Sequence, residues 1–199
     1  MKNEAILISG GVDSTALAYL RRPARGFVID YGQLAGAAEV AAAIEITKEI
    51  GIELEILRVD CQTTGSGTMA GEAAIPRSPS PEWWPFRNQL LATLAAAAAI
   101  KSNIRTLVFA SVKSDSFHAD GRQEFYIALD KLVSLQEGGI RVEAPVLDLS
   151  SVDLVKQSKV PATILGWTHS CHTGDFACGS CRGCYKRRGV LKDCGIDLG

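Results

Sequence analysis

A chain of 199 residues, 47% of them hydrophobic, is long enough to bury a substantial core and short enough to be one compact domain with a small appendage. Its formal net charge of −1 provides no global field for DNA, RNA or an anionic membrane surface, so a nucleic-acid partner is not expected. No apolar run reaches the ~20 residues of a membrane span. The densest stretch, Leu90 to Ile100, is alanine-rich and reads as a buried helix. Met1-Lys2 leads directly into a strand-like run, without the long apolar region and small-residue cleavage site of a secretion signal, so a cytoplasmic protein is expected. Thiols stay reduced there, and the six cysteines do not read as a disulfide framework.

Along the chain, short apolar runs alternate with helical patterns. Ala5 to Ser9 reads as a strand and Val12 to Leu20 as a helix. Gly26 to Asp30 is a second strand, followed by an alanine-rich helix from Ala35 to Ile50. Leu54 to Asp60 is a third strand. Phe86 to Ile100 is a helix, Arg105 to Ser111 a strand, Arg122 to Leu135 a helix, and Ile140 to Val146 a short fifth strand. This order predicts an α/β fold, a parallel five-stranded sheet with helices on both faces. Ligands of such sheets bind beyond the carboxyl ends of the strands, where Ser9, Asp30, Asp60 and Ser111 fall. Two segments break the pattern. Cys61 to Pro85, rich in Gly, Ser, Thr and Pro, reads as a lid, a binding loop or a disordered segment; its Trp83 and Trp84 either present a partner surface or pack the loop on the core. Thr168 to Arg188 is rich in Cys, Gly and Arg, so residues 1–165 read as the α/β domain and 166–199 as a Cys-rich tail packed on it.

The first strand stops at Ser9-Gly10-Gly11-Val12-Asp13-Ser14-Thr15. After a strand, glycines permit a sharp turn and bring backbone N–H groups close to a ligand. The following helix aims its free N–H groups and positive dipole end at the same place, and Ser9, Ser14 and Thr15 add hydroxyls. Together they form a cradle for phosphate or pyrophosphate. There is no Gly-Lys-Ser/Thr and no Gly-x-Gly-x-x-Gly, so neither the common NTPase loop nor the dinucleotide fingerprint is present. A plain strand–helix turn closed by a Ser or Asp cap would account for a bare Ser-Gly-Gly, less well for the full run in this setting.

Cys171, Cys178, Cys181 and Cys184 crowd into the tail, the last three spaced C-x2-C-x2-C. Four thiolates close a tetrahedral structural zinc site, which would let a small glycine-rich tail fold. An iron–sulfur cluster is the alternative, because the same spacing occurs in ferredoxin-type runs. Unligated core cysteines fit poorly in so polar a segment. His169 and His172 are substitute ligands or polar residues of the tail, and Cys61 and Cys194 read as ordinary thiols.

The Ser-Gly-Gly-Val-Asp-Ser run resembles the signature of the PP-loop ATP pyrophosphatases. That resemblance implies cleavage of ATP between its α and β phosphates, with the loop holding the departing pyrophosphate, Asp13 organising the loop or its Mg2+, and AMP passing to a substrate oxygen. Further motifs are similar to one branch, the 7-cyano-7-deazaguanine synthases. They are Asp30-Tyr31-Gly32-Gln33 with Glu39 on the next helix, Pro85-Phe86-Arg87-Asn88, Asp120-Gly121-Arg122-Gln123-Glu124-Phe125, Val142 to Ser150, and Thr168 to Gly174 followed by Cys178 to Arg187. The likeness spans nearly the whole chain. It implies ATP, Mg2+ and Zn2+ as cofactors, a carboxylated deazaguanine and ammonia as substrates, and a homodimer. Ser9, Gly10, Gly11, Asp13, Ser14 and Thr15 would hold phosphates, and Tyr31, Gly32 and Gln33 would line the nucleotide side. Arg87 and Asn88 would face the reacting centre. Asp120 and Arg122, with Lys113 and Asp115, would bind the base or its carboxylate. An Arg fork suits a carboxylate or phosphate, although Arg122 also reads as a helix cap or a partner of Glu124. The catalytic set expected from this likeness is Asp13, Arg87, Asp120 and Arg122, and the metal ligands are Cys171, Cys178, Cys181 and Cys184.

The chain departs from the family pattern at Leu34-Ala35, where Arg-His is usual, at Gly121, where Cys is usual, at His118-Ala119 in place of Tyr-Pro, and at His172 in place of Tyr. These lie near the expected substrate or nucleotide, which points to retained adenylation with altered acceptor or nucleophile. Relatives associated with anti-phage operons supply a second reading, in which the deazaguanine acid is joined to an amine of a partner protein. A tRNA-acting PP-loop enzyme and a non-enzymatic, zinc-stapled nucleotide sensor are further readings. The near-neutral charge disfavours the first of these and the intact Asp13 loop the second.

Overall fold

The computed structural model describes residues 3–197. Five parallel strands, β1 (Glu4–Leu7), β2 (Arg25–Asp30), β3 (Glu53–Arg58), β4 (Thr106–Val108) and β5 (Arg141–Glu143), form one sheet in the order β3-β2-β1-β4-β5. The helices are α1 (Val12–Arg21), α2 (Gly36–Ile50), the one-turn α3 (Gly67–Ala70), α4 (Arg87–Lys101), α5 (Gln123–Ser134), α6 (Ser151–Ser158), α7 (Ala162–Gly166) and α8 (Arg182–Asp193). The chain builds outward from β1 to β3, then returns to add β4 and β5 on the other side of β1. That reversal opens a crevice at the carboxyl ends of β1 and β4, the expected place for a ligand.

Side chains alternate across the sheet with period 2. Ile6, Val28 and Val108 face a core shared with α1, α2, α6, α7 and α8. Ala5, Phe27, Leu107 and Val142 face the opposite core, shared with α4 and α5. Ala92, Ala95 and Ala99 of α4 are fully buried, so the alanine run is the face by which that helix lies close against the sheet. Val190 and Leu191 of α8 belong to the first core, so the tail is packed into the α/β body.

The expected five-stranded parallel sheet is present, with shorter strands at its β5 edge. β4 ends at Val108 where the sequence pattern ran to Ser111; the Phe109 N–H donates to the Glu143 carbonyl at 2.8 Å and closes the ladder. β5 ends before Pro145, which has no N–H to give a ladder. The segment from Cys61 to Pro85 carries a 3-10 turn (Gln62–Thr64) and α3, and is anchored by Trp84. That indole is 1% exposed and meets the Tyr31 ring edge-on at a centroid distance of 4.9 Å. Of the two tryptophans, Trp84 is therefore core and Trp83 is half-buried. Among the described residues no helix is long and apolar enough to cross a membrane.

Candidate nucleotide cleft and cysteine centre

The glycine turn leaves β1 and enters α1 at the crevice. Gly10 has φ +74°, and a Cβ there would lie 2.8 Å from the Ala42 Cβ and 3.0 Å from the Glu39 carbonyl, so backbone conformation and space both require glycine. Gly11 is the N-cap of α1 without a side-chain cap, which leaves the first N–H groups of the helix for an anion. The Ser14 hydroxyl lies 3.3 Å from that of Ser9 and donates to the Gly11 carbonyl at 3.2 Å. Thr15 is fully buried and its hydroxyl donates to the same carbonyl at 2.8 Å, so it serves the turn. One Asp13 oxygen pairs with the Lys186 ammonium at 2.8 Å; the other is buried with no hydrogen-bond partner.

The turn forms one wall of a cleft of about 670 Å3. Arg87, Asn88 and Asp120 form another, with Tyr31, Glu39 and Asp115 between. The Asn88 amide donates to the Asp120 carbonyl at 2.9 Å and ties the start of α4 to the turn at Ala119–Gly121. Burial opposes the charge on Arg87, yet Tyr31, Asp120, Glu39 and Asp115 around it outweigh burial and keep the guanidinium protonated. Burial pushes the Glu39 carboxyl up to about 7, against the pull of the Gln33 amide and of Arg87. The Gln33 amide donates to Glu39 at 2.8 Å and to the Ile29 carbonyl at 3.2 Å, while its oxygen accepts the Tyr31 N–H at 2.8 Å. One buried side chain thus sets both the loop after β2 and the Glu39 carboxylate.

Interleaved in sequence with the cleft-lining Ser170, His172 and Gly183 stand the four tail cysteines, their sulfurs within 4.8 Å of one another. Cys178 and Cys184 are 4.0 Å apart, as are Cys171 and Cys181. Zn–S bonds of about 2.3 Å in a tetrahedron put sulfurs about 3.8 Å apart, so the residues fit a single tetrahedral ion. The set can hold a metal. Backbone N–H groups of Cys181 and Cys184 point at the sulfurs of Cys178 and Cys181, at 3.3 and 3.4 Å. Such donors stabilise thiolates, and they belong to the turn that starts α8.

Comparison with known proteins agrees with this arrangement. The family model described as "Queuosine biosynthesis protein QueC" matches residues 4–195. The chain belongs to this family. The 7-cyano-7-deazaguanine synthase of Methylococcus capsulatus is 30% identical, covering 98% of this chain and 96% of the relative. Those of Porphyromonas gingivalis and Myxococcus xanthus are 29% and 27% identical, each across 98% of this chain and 94% and 95% of the relative. The PP-loop fold expected from the glycine turn is that of this family.

Within that family fold, Ser9, Gly11, Asp13, Ser14, Tyr31, Arg87, Asn88, Asp115 and Asp120 meet in the cleft. Gly10, Thr15, Gly32 and Gln33 lie behind its surface, shaping the turns. Lys113 and Arg122 also lie outside its lining. Arg122 is exposed and its Nε donates to the Ser116 carbonyl at 3.0 Å, bracing the turn at Lys113–Phe117. Gly121, the position where Cys is usual, is buried, and a Cβ there would collide with the Asp115 backbone. Its bareness lets that turn close on the cleft and carry Asp115 into it.

The sequence pointed to Glu39 only as part of a motif and to His118 only as a departure near the expected site, and to Lys186, Glu82 and Arg182 with no individual role, yet all five line the cleft. Glu82, from the long loop, pairs with Arg182 of α8 at 3.0 Å and joins loop to tail. Burial holds the His118 imidazole below its usual value, and its Nδ1 is buried without a partner. The helical spacing of Arg182, Lys186 and Val190 was the available signal: it puts all three on one face of α8.

Proposed function

We propose that this chain adenylates the carboxylate of 7-carboxy-7-deazaguanine and converts it, through the amide, to the nitrile, in the manner of a 7-cyano-7-deazaguanine synthase. The reading is supported by one observation above others: an anion cradle and an arginine–carboxylate wall face each other across a single cleft in a chain of this family. ATP enters with its phosphates on Ser9–Gly11 and the start of α1. Arg87 pairs with the substrate carboxylate, for which a guanidinium fork is the matching shape. A carboxylate oxygen attacks the α phosphorus and the bond to pyrophosphate breaks. The N–H groups of the turn meet the charge that develops on the leaving group.

Ammonia then attacks the acyl carbon, the C–O bond to AMP breaks, and the nitrogen sheds a proton. Glu39, half-ionised near neutrality, is suited to take it. With a second ATP the amide oxygen attacks phosphorus and pyrophosphate leaves. Loss of two N–H protons and of AMP leaves the nitrile. Asp13, with one oxygen buried and unpartnered, is the residue to hold Mg2+, which neutralises phosphate charge when bound. Cys171, Cys178, Cys181 and Cys184 would hold zinc, which four thiolates would keep as a structural rather than a catalytic ion.

The test is to incubate protein, ATP, Mg2+, ammonium and the deazaguanine acid. AMP and pyrophosphate dependent on the acid are expected, with a product mass reporting the nitrile. ADP and phosphate, or no turnover, overturn the reading. An amide mass, or a protein adduct, keeps the adenylation and moves the second step elsewhere.

A further inference from the structure

Lys186 belongs to the cysteine-rich tail, yet its ammonium sits inside the cleft, 2.8 Å from Asp13 of the glycine turn and 3.4 Å from Asp115 of the Lys113–Phe117 turn. We propose that Lys186 is a pyrophosphate-binding residue, parked on Asp13 and Asp115 in the free protein and transferred to the β and γ phosphates when a divalent cation takes its place on Asp13. This rests on the reading of the glycine turn as the site of an ATP triphosphate.

The geometry argues against a simple strut. Lys186 keeps 37% of its side chain exposed, and so does Asp115. The pair to Asp115 is as open as that and contributes little to stability, whereas Asp13, 16% exposed, is the more covered partner. Asp13 has a second oxygen that is buried and has no partner, so its present pairing leaves an acceptor that a divalent cation would satisfy. Two carboxylates share one ammonium here, so a divalent cation on Asp13 would balance charge that Lys186 alone leaves uncompensated. Replacing the ammonium on Asp13 by a divalent ion frees it for phosphate beside the turn.

Placement of Lys186 is over-determined by its helix. Two residues before it, Cys184 is fixed in the four-cysteine centre. The next residue, Arg187, donates to the Thr168 hydroxyl at 2.8 Å and to the Leu165 carbonyl at 3.3 Å. One turn later Val190 is buried in the core. The backbone at Lys186 is therefore rigid while its own side chain has freedom to move, the combination a phosphate ligand needs.

The test is equilibrium binding, by calorimetry, of ATP, inorganic pyrophosphate and AMP with Mg2+ to the metal-loaded full chain. Wild type, Lys186→Met and Lys186→Arg are compared, with Lys192→Met, an exposed lysine of the same helix, as control. The Met variant is expected to weaken ATP and pyrophosphate by at least about tenfold while AMP stays within about twofold. The Arg variant recovers most of the loss, and the control resembles wild type. A merely structural lysine would alter all three ligands together or none. Equal losses for AMP and ATP, or ATP binding within about twofold of wild type in the Met variant, overturn the role of Lys186 and leave the ATP site standing. A wild-type chain that binds neither ATP nor pyrophosphate overturns the site itself and the lysine's role with it. Thermal melting run alongside identifies a variant that has lost its fold, and Lys186→Gln then replaces Lys186→Met.

Discussion

Gly10 illustrates how a single residue sets the chemistry of the cleft. A methyl group there meets Ala42 and the Glu39 carbonyl, and the backbone is held at φ +74°. Gly10→Ala is expected to cost about 1–3 kcal/mol and to distort the cradle, read as a lower melting temperature with weakened pyrophosphate binding. Glu39 carries the pH response of the same region. Its folded carboxyl is raised to about 7, so the folded chain holds a proton that the unfolded chain releases earlier. The stability associated with that proton is present below the ordinary carboxyl range and is lost as pH rises through about 7. Melting temperature, measured without nucleotide, should therefore fall between mildly acidic and neutral pH, and Glu39→Gln should flatten that slope. An unchanged slope in the variant would assign the pH response to other groups.

At the scale of elements, α8 and the cysteine turn depend on each other. Gly183 lets the helix start against Ser170 and His172, where any Cβ would collide with the Ser170 carbonyl. The N–H of Cys184 meanwhile serves the Cys181 sulfur. A four-cysteine turn of this size has little apolar burial of its own, so its fold would be coupled to the zinc proposed for it. The expected zinc content is one per chain by elemental analysis. Cys181→Ser should abolish that content and lower the melting temperature, and a strong chelator should do the same to the wild type. The long loop depends on a different anchor. Trp84 is among the largest fully buried side chains, and Trp84→Ala should cost about 3–5 kcal/mol in denaturant unfolding.

For the whole molecule, the cleft is lined by pieces distant in sequence, among them the turn after β1, the start of α4, the Ala119–Gly121 turn and α8. Glu82 and Arg182 close the circle by joining the loop before α4 to the tail. Breaking that pair with Glu82→Ala removes a contact of small thermodynamic weight, since its Arg182 end is half-exposed and screened although Glu82 is only 12% exposed. It should leave the melting temperature nearly unchanged while speeding nicking between residues 61 and 85 by a broad-specificity protease. No change in the cleavage rate would mean that Trp84 alone holds the loop.

The sheet and its first cleft wall were legible from sequence because their signals are local. Strand patterns of period 2, helical patterns of period 3.6 and a glycine turn between them reflect backbone geometry within a few residues, and the four cysteines announce themselves by spacing. α6, α7 and α8 were not read, because they are short or polar helices whose formation is decided by packing on α1 and by the cysteine centre. The same limit hid Lys186. Its spacing from Cys184 is visible in the chain, but its meeting with Asp13, 173 positions earlier, exists only once α8 packs into the first core. Tyr31 and Gln33 show the converse. Both were read as lining a nucleotide, and three-dimensional packing separates them, since Tyr31 reaches the cleft whereas Gln33 spends its amide on the backbone and on Glu39. The amino-acid order alone determined which segments become strands, where the glycine turn enters the first helix and which thiols gather. Tertiary structure decided which charged groups face one another across the cleft, because contacts between distant segments depend on how helices of given length and face settle on the sheet.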